Sequence, residues 1–255
     1  MNPFKNAIVK LPCQNISAGL TTVNLGKPNY PNSLRQHTHY TEALRQCGLE
    51  VITLNPDNRF PDSTFVEDVA LLTPQAAIIT RPGAPSRRGE IVEMEEALQS
   101  LFQTMYHISA PGTLDAGDIL QIDQHYYIGL SRRTNREGAE QLISILKSLG
   151  FSGSTIPLKD MFHLKSGVSY LDNGYLVVAG EFIEHPAFSQ FDQIRVDSSE
   201  MYAANCLWLN GKVLVASGYP RTSEAIVKAG FPVMEVDVSE FRKVDGGLSC
   251  LSLRF

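Results

Sequence analysis

One pattern recurs four times along the chain and limits its fold more than any other feature. In each copy, two β-rich stretches joined by a short polar turn lead to a corner that carries Gly or Arg. A helical pattern usually follows the corner, and a single strand follows the helix. The four copies contain the stretches FVEDVALLTPQAAIITRPGAPSRRGE, DAGDILQIDQHYYIGLSRRTNREG, SGVSYLDNGYLVVAGEF and AANCLWLNGKVLVASGYPRTSEA. The sequence therefore predicts a repeated β-β-α-β unit.

Two strand patterns remain outside these copies, NAIVKL near the start of the chain and SCLSLRF at its end. If they pair with each other, they complete a fifth unit. Self-similar units at a regular spacing are typical of a radial array, and the two terminal strands would close such a ring. We therefore predict an α/β fold of five ββαβ modules around a pseudo-five-fold axis. Cys250 would lie in the closing strand, near the axis.

The composition argues against several classes of function. With 255 residues, 43% apolar and 19% charged, we expect a single domain over residues 1–255. The net charge of −5 argues against a partner that is a nucleic acid or an anionic membrane. No apolar run approaches the ~20 residues of a membrane-spanning helix, and the first residues do not resemble a signal peptide. The scattered cysteines fit reduced thiols in the cytoplasm.

Cys250 and His163 are the candidates for nucleophilic catalysis. Cys250 follows the segment DGG, and glycines weaken a strand unless something approaches its backbone closely. A thiol attacks as the thiolate, which needs a cationic or hydrogen-bonding environment. His163, in MFHLKS, is a candidate general acid and base for that thiol. Each residue also has a simpler interpretation, a small core residue for Cys250 and a structural histidine for His163.

Two acidic segments interrupt apolar strand patterns. Glu67 and Asp68 lie within FPDSTFVEDVALL, and buried carboxylates without partners are unfavourable. Because successive strand residues point to opposite faces, we expect one of the pair to enter a pocket unless a bulge intervenes. Asp115 and Asp118 flank Gly117 in TLDAGDILQI, where the backbone could approach a ligand closely. A charged edge strand and a turn with Asx hydrogen bonds are the respective alternatives.

Two corners of the chain carry paired arginines, Arg87–Arg88 in SRRGE and Arg132–Arg133 in LSRRTN. A guanidinium group can bind a carboxylate through two parallel hydrogen bonds. The alternative is that these arginines are surface charges or helix-capping residues, and we expect this of at least one arginine in each pair. Carboxylates that bind a guanidinium, together with arginines that bind an α-carboxylate, predict an arginine-like amino acid as the ligand.

These segments together resemble the dimethylarginine dimethylaminohydrolases, a family of guanidine-modifying enzymes with the pentein fold. The shared stretches are GLTTVNLGKPNY, RFPDSTFVED, ITRPGAPSRRGE, APGTLDAGDIL, GLSRRTN, HLKSG, AANCLWLN and AGFPVMEVDVSEFRKVDGGLSCLSLRF, which run nearly from end to end. The resemblance implies a pentein-type five-module αβ propeller, in agreement with the repeat count. It also implies a single catalytic domain that hydrolyses asymmetric dimethylarginine and monomethylarginine to citrulline and dimethylamine or methylamine.

The resemblance assigns roles to individual residues. Cys250 would attack the guanidinium carbon to form a covalent S-alkylthiouronium intermediate. His163 would protonate the departing amine and then activate water, while Asp115 would orient His163. Asp68 would hold the guanidinium nitrogens, with a second contact from Glu67. The implied contacts to the amino-acid end are Asp62, the backbone of Leu20 and Val244, and, for the α-carboxylate, Arg87 and Arg133.

One position departs from the related deiminases. Arginine and agmatine deiminases carry an acid two residues after the histidine, whereas this chain reads HLK and has Lys165 there. A lysine ammonium group cannot accept hydrogen bonds from a guanidinium. We expect Lys165 to turn away and to leave room for N-alkyl groups, which favours methylated arginine over arginine.

The sequence leaves other activities open. The alternatives are hydrolysis of another Nω-substituted arginine or of citrulline, and a non-catalytic amino-acid-binding protein of the same fold. A thiol peptidase would leave the acids and the paired arginines without a purpose. We expect no cofactor and no metal, because the sequence contains no closed set of metal ligands. The expected partner is a small-molecule substrate, and the oligomeric state is open, a homodimer included.

Overall fold

The computed structural model describes residues 3–255 of the protein. These residues contain fifteen strands and five α-helices. The strands are β1 (Asn6–Lys10), β2 (Glu50–Leu54), β3 (Ala70–Leu72), β4 (Ala77–Ile79), β5 (Met105–His107), β6 (Ile119–Ile122), β7 (His125–Leu130), β8 (Ser152–Pro157), β9 (Val168–Tyr170), β10 (Tyr175–Val178), β11 (Asp192–Arg195), β12 (Leu207–Leu209), β13 (Lys212–Ala216), β14 (Val233–Val236) and β15 (Leu253–Arg254). The helices are α1 (Tyr30–Gln46), α2 (Ile91–Gln99), α3 (Arg136–Ser148), α4 (Pro220–Lys228) and α5 (Ser239–Arg242). Within residues 3–255, no helix has the length and apolar character to cross a membrane.

The described strands form five sheets of three strands each, and every sheet has the same topology. The orders are β3-β4-β5, β6-β7-β8, β9-β10-β11, β12-β13-β14 and β15-β1-β2. In each sheet the central strand pairs antiparallel with the first strand and parallel with the third. A parallel pair needs a crossover connection, and α1, α2, α3 and α4 each lie in one of these crossovers. The predicted ββαβ module is therefore confirmed.

The fifth module is completed by strands from the two ends of the chain, as predicted. Ala7 of β1 lies opposite Arg254 of β15 in the antiparallel pair and opposite Val51 of β2 in the parallel pair. The interior residues of β1, from Ala7 to Val9, are fully buried. Their unbroken apolar pattern is typical of a central strand that is covered on both faces.

The module formed by β9, β10 and β11 differs from the other four in its crossover. Between β10 and β11 the described chain forms two 3-10 turns, Gly180–Phe182 and Pro186–Phe188, in place of an α-helix. Gly180 and Glu184 adopt positive φ angles of 55° and 61°, which a right-handed α-helix cannot accommodate. This crossover is therefore shorter, although the strand topology is unchanged.

The two predicted hairpin turns have the expected backbone geometry. Asn173 and Gly174 join β9 to β10 with φ angles of 50° and 81°, and Asn210 and Gly211 join β12 to β13 with 50° and 91°. Two successive residues at positive φ define the type I′ turn, which follows the right-handed twist of paired strands.

Each module begins with a 3-10 turn that is separated from its first strand by at most two residues. We call these segments the entry turns: Val66–Val69, Ala116–Asp118, Leu164–Ser166, Ser198–Ala204 and Ser249–Leu251. From Val66–Val69 to Ser198–Ala204 each entry turn packs against the next, and the turn at Val66–Val69 also packs against that at Ser249–Leu251. The fivefold repeat therefore brings five distant segments of the chain to one place.

Two buried tyrosines provide a test of how the ring is held together. Tyr40 of α1 and Tyr126 of β7 are both fully buried. The Tyr40 hydroxyl donates to the Leu248 carbonyl at 2.9 Å and lies 2.6 Å from Ser252 Oγ, whereas the Tyr126 hydroxyl has no partner among the described residues. We expect Tyr40→Phe to lower the free energy of unfolding by about 1–3 kcal/mol, because it removes a buried partner from the carbonyl. Tyr126→Phe should leave that free energy unchanged or raise it. Urea denaturation of both variants measures the difference, and equal losses would contradict this interpretation.

Candidate active site

Cys250 lies in the entry turn Ser249–Leu251, and the strand that closes the ring begins three residues later at Leu253. The expectation that Cys250 belongs to the closing strand is therefore wrong. Between α5 and this turn, Asp245 adopts a positive φ of 57°. The half-buried thiol is placed where the entry turns meet.

The two glycines before Cys250 are required by close approach of other parts of the protein. A Cβ atom on Gly246 would lie 2.2 Å from the ring of Phe65, and one on Gly247 would lie 2.6 Å from Asn205 Oδ1. Real side chains do not tolerate such distances, so both positions need glycine. The Gly247 N–H also points at Cys250 Sγ, 3.4 Å away. The sequence predicted that another group approaches this backbone closely, and in the structure these groups are the side chains of Phe65 and Asn205.

His163 lies directly before the entry turn Leu164–Ser166 and faces the carboxylate of Asp115. The distance from His163 Nε2 to Asp115 Oδ2 is 3.5 Å, and neither atom has a hydrogen-bond partner among the described residues. The other oxygen of Asp115 accepts a hydrogen bond from the Gly83 N–H at 2.8 Å. Such long contacts between catalytic groups often shorten when a substrate binds.

Glu67 and Asp68 lie in the entry turn Val66–Val69 and not in a strand, so their side chains are not forced to opposite faces. Both are almost completely buried, and Asp68 is the one of the pair that lines a cavity. Asp68 accepts hydrogen bonds from Arg87 Nη1 at 2.6 Å and from the Gly117 N–H at 3.1 Å. Glu67 accepts from Lys165, Arg254 and Ser249, at 2.6 to 2.7 Å.

The expectation that Lys165 turns away from the site is wrong. Its Nζ lies 2.6 Å from Glu67 Oε1, and its side chain is only 16% exposed. A buried carboxylate is stable only with a partner of opposite charge, and Lys165 shares this role with Arg254. Of the two neighbouring acids, Glu67 is therefore neutralised by two cations, which leaves Asp68 as the acid next to the cavity.

The two predicted carboxylate-binding arginines differ in their surroundings. Arg87 is buried and donates to Glu90 through Nε and Nη2, while Nη1 has a single hydrogen bond, to Asp68. Arg133 is less enclosed; its Nη1 lies 3.6 Å from Asp115 Oδ2 and its guanidinium stacks on the Phe162 ring at 5.1 Å. Arg133 therefore has the more accessible guanidinium.

Two adjoining cavities meet at Cys250 and His163. The first, of about 340 Å³, is lined by six of the seven predicted substrate-binding residues: Leu20, Asp62, Asp68, Arg87, Arg133 and Val244. The second, of about 390 Å³, is lined by Lys165, Tyr202, Asn205 and Ser249, among others. His163 and Cys250 line both cavities. Glu67, the seventh predicted residue, lies behind Lys165 and lines neither of these cavities.

Comparison with known proteins places this arrangement in a family. A family model described as "N,N dimethylarginine dimethylhydrolase, eukaryotic" matches residues 26–215. The N(G),N(G)-dimethylarginine dimethylaminohydrolase of Pseudomonas aeruginosa is 50% identical over 99% of this chain and 100% of its own length. The enzyme of the same name from Streptomyces coelicolor is 36% identical over 99% and 97%. The chain belongs to the dimethylarginine dimethylaminohydrolase family.

Solved structures agree with this membership. A cysteine-to-serine mutant of the Pseudomonas aeruginosa dimethylarginine dimethylaminohydrolase, complexed with citrulline, matches 99% of this chain and 100% of its own with a TM-score of 0.98. The N-terminal domain of ArgZ, an arginine dihydrolase, matches 98% and 97% with a TM-score of 0.88 at 19% identity, which shows a shared fold. The predicted pentein-type propeller is confirmed.

The electrostatic environment sets the charge of the two reactive groups in this family member. Burial raises the pKa of the Cys250 thiol to about 12, and the carboxylates of Asp68 and Glu67 act in the same direction. Burial alone would lower the pKa of His163, but Asp118, Asp115 and Asp68 outweigh it and raise that pKa to about 9. At neutral pH the site therefore holds a neutral thiol and a protonated imidazole.

A cluster of possible metal ligands lies within this site. Asp68, Asp115 and His163 place ligand atoms within 4.8 Å of one another. Arg87 contacts Asp68 at 2.6 Å and Arg133 lies 3.6 Å from Asp115, so two guanidinium groups already compensate these carboxylates. Protonated His163 adds a third positive charge and cannot ligate a metal. The electrostatics fit an organic cation held by hydrogen bonds better than a divalent ion.

Two residues that shape the site of this family member received no role from the sequence: Asp118 was noted only as a neighbour of Gly117, and Asn205 was not identified. Asp118 accepts a hydrogen bond from the Leu164 N–H at 3.0 Å, next to His163, and Asn205 contacts Ser249, next to Cys250. Both lie in or directly after an entry turn. Their position before the first strand of a repeat is the one sequence signal that could have pointed to them.

Asp118 offers a direct test of the charge on His163. It is fully buried, and Asp118→Asn removes one of the negative charges that favour the imidazolium. We expect this variant to lower the pKa of His163 from about 9, and the alkaline limit of activity should move to lower pH because less His163 is protonated. NMR titration of the labelled histidines, assigned with His163→Gln, measures the pKa. Asp192→Asn, at an exposed position, is the control, and an unchanged His163 pKa in Asp118→Asn would contradict the assignment.

Proposed function

We propose that this protein hydrolyses asymmetric dimethylarginine and monomethylarginine to citrulline and dimethylamine or methylamine. The observation that carries the proposal is one cavity lined by a carboxylate, an arginine and a thiol, namely Asp68, Arg133 and Cys250. An Nω-methylated arginine has a cationic guanidinium and an α-carboxylate, which are complementary to the first two. Two related structures support this class of ligand. One is the cysteine-to-serine mutant of the Pseudomonas aeruginosa enzyme with citrulline, and the other is a histidine-to-glycine variant of a dimethylarginine dimethylaminohydrolase as an adduct with S-methyl-L-thiocitrulline.

The amino-acid end of the substrate binds through Arg133 and Asp62. Arg133 grips the α-carboxylate, since its guanidinium is oriented by Phe162 and is accessible from the cavity. Arg87 contributes to the same carboxylate through the hydrogen that Nη1 does not give to Asp68. Asp62 accepts the Leu20 N–H at 3.0 Å, and together with the backbone of Leu20 and Val244 it receives the α-amino group.

The guanidinium end binds at Asp68 and brings a positive charge next to Cys250. Asp68 raises the pKa of the free thiol, and a bound guanidinium compensates its charge, so the thiolate is favoured once substrate is present. The substrate thereby helps to generate its own nucleophile. The proton released from Cys250 passes to solvent.

The reaction then proceeds in two halves. The Cys250 thiolate attacks the guanidinium carbon, a C–S bond forms, and the tetrahedral adduct collapses as the C–N bond to the methylated nitrogen breaks. His163 gives its proton to the departing amine, which leaves an S-alkylthiouronium intermediate. Neutral His163 next takes a proton from water, the hydroxide adds to the same carbon, and cleavage of the C–S bond releases citrulline and the thiolate. Asp115 keeps the imidazole oriented and favours its protonated form.

The pairing of Lys165 with Glu67 explains the preference for methylated substrates. Only Asp68 presents a carboxylate to one edge of the guanidinium, because Glu67 is covered by Lys165 and Arg254. The other edge meets no acceptor from Glu67, so unsubstituted N–H groups would lose hydrogen bonds to water there. A methylated nitrogen has fewer N–H groups, so fewer hydrogen bonds to water are lost there, and its methyl groups gain from burial of their apolar surface.

We further propose that residues 1–255 act as one catalytic domain, because segments as distant as Leu20 and Cys250 line one cavity. A cytoplasmic location is proposed from the four cysteines, which are all free.

Side-by-side kinetics of four substrates test the proposed function. We expect kcat/KM for asymmetric dimethylarginine and monomethylarginine to exceed that for arginine. Symmetric dimethylarginine should fail as a substrate, since its second methyl group meets the Asp68 edge. Citrulline formation measures all four rates.

Cys250→Ser is the matched control for this panel. The change is nearly isosteric, so the variant should bind the substrates by calorimetry and yet form no citrulline. A kcat/KM that is highest for arginine would make the protein a deiminase and contradict the role given to Lys165. Substantial turnover by Cys250→Ser would exclude the nucleophile.

A further inference from the structure

One of the five entry turns has no part in the reaction described above. The turn Ser198–Ala204 is followed by Asn205, which is 7% exposed and lines the larger of the two cavities. The other four turns carry or border Asp68, Asp115, His163 and Cys250. The fold therefore places Asn205 where the other modules place catalytic or substrate-binding groups.

The side-chain amide of Asn205 makes three hydrogen bonds to two other entry turns. Nδ2 donates to the Lys165 carbonyl at 2.8 Å and to Ser249 Oγ at 2.9 Å, while Oδ1 accepts from the Ser249 N–H at 2.9 Å. The orientation of the amide is unique, because exchange of its oxygen and nitrogen would set two donors against each other at Ser249. Asn205 thus fixes both turns in one relative position.

The two turns that Asn205 connects are those of the general acid and of the nucleophile. Lys165 lies two residues after His163, and Ser249 directly precedes Cys250. The connection continues through Ser249 Oγ, which donates to Glu67 at 2.6 Å, and Glu67 in turn binds Lys165 Nζ. The hydrogen bonds therefore form a closed circuit through Asn205, Ser249, Glu67 and Lys165.

The neighbouring backbone is adapted to Asn205. Gly247 lies so close that a Cβ atom would be 2.6 Å from Asn205 Oδ1 and 2.8 Å from its Cγ. The same residue directs its N–H at Cys250 Sγ. Asn205 therefore packs directly against the Gly247 backbone, and no side chain would fit between them.

We propose that Asn205 is a positioning residue that sets the placement of Cys250 relative to His163. The inference rests on the proposed function, in which a thiolate attacks a carbon whose leaving group His163 protonates. Both steps demand a defined geometry, and misplacement of a reacting group by about 1 Å can lower a rate by about 100-fold. Asn205 reaches both residues through their neighbours and contacts neither of the reacting atoms in the free protein.

Asn210 provides a matched control on the other side of β12. Its amide also makes three hydrogen bonds, from the Phe4 N–H and to the carbonyls of Phe4 and Cys47, but it lies outside both cavities. Asn205→Ala and Asn210→Ala therefore remove the same number of amide hydrogen bonds. Both should lower the thermal unfolding temperature, so loss of stability alone cannot distinguish them.

The two variants should differ in catalysis. We expect Asn205→Ala to lower kcat for asymmetric dimethylarginine by about 10- to 100-fold with KM within about 3-fold, since Arg133 and Asp62 still bind the amino-acid end. Asn210→Ala should keep kcat within about 2-fold of the unaltered protein at a temperature where both variants are folded. If Asn205→Ala does not fold, Ser249→Ala removes one of the three bonds of Asn205 together with the bond from Ser249 to Glu67, and should give a loss of kcat of the same kind.

Alkylation of Cys250 by iodoacetamide gives a readout that needs no substrate. Release of the turn should make Cys250 alkylation at neutral pH faster in Asn205→Ala than in Asn210→Ala, as followed by peptide mapping. An unaltered protein inactive on every methylarginine would refute the proposed function, and alkylation would still test the positioning. If the two variants share the same kcat and the same alkylation rate, the inference about Asn205 is wrong.

Discussion

The burial of four carboxylates in one small region is the constraint on which the rest of the structure depends. Glu67, Asp68, Asp115 and Asp118 are each no more than 3% exposed. An unpaired buried carboxylate is strongly destabilising, so each must receive a cation or several hydrogen-bond donors. The partners are Arg87 for Asp68, Lys165 and Arg254 for Glu67, His163 and Arg133 for Asp115, and the hydroxyls of Ser131 and Thr134 for Asp118. The acids therefore determine where the positive groups of the site lie.

This constraint links the fold to the chemistry. The ring of five modules places five entry turns side by side, and each turn contributes polar groups to the same region. The pairings are unequal: Glu67 is fully compensated by protein cations, whereas Asp115 holds His163 at 3.5 Å and keeps one oxygen without a hydrogen bond in the described part of the chain. The weaker pairing lies beside the cavity, where a cationic substrate and a protonated imidazole are both favoured. The buried acids of this region thus differ in how completely the protein neutralises each of them.

The sequence predicted the architecture well because the modules are locally encoded. Apolar strands, Asn-Gly turns and amphipathic helices repeat in the same order, and the pairing of β1 with β15 follows once four copies are recognised. Cys250 and His163 were candidates from the sequence itself, and the family resemblance added the role of Asp115. The structure brings Cys250 and His163 to the same cavities with Asp115 beside His163. Their roles remain proposals until the reaction is measured.

The parts that the sequence did not predict depend on contacts between modules. At Val66–Val69 and at Ser249–Leu251 the apolar pattern of the following strand continues back into the 3-10 turn, so Cys250 and the pair Glu67–Asp68 were placed in strands. The direction of Lys165 depends on Glu67, about 100 residues away in the chain, and no local pattern encodes such a pairing. Asn205 was not identified from the sequence for the same reason, because its partners Lys165 and Ser249 belong to other modules.

The central claim is that a covalent bond forms between Cys250 and the guanidinium carbon. The most direct measurement is to mix the protein with excess asymmetric dimethylarginine, quench the reaction in acid during turnover, and map the peptides by mass spectrometry. We expect an adduct on the peptide that contains Cys250, with the mass of the substrate less dimethylamine. Formation of citrulline without any such adduct, or an adduct on Cys13, Cys47 or Cys206 instead, would contradict it.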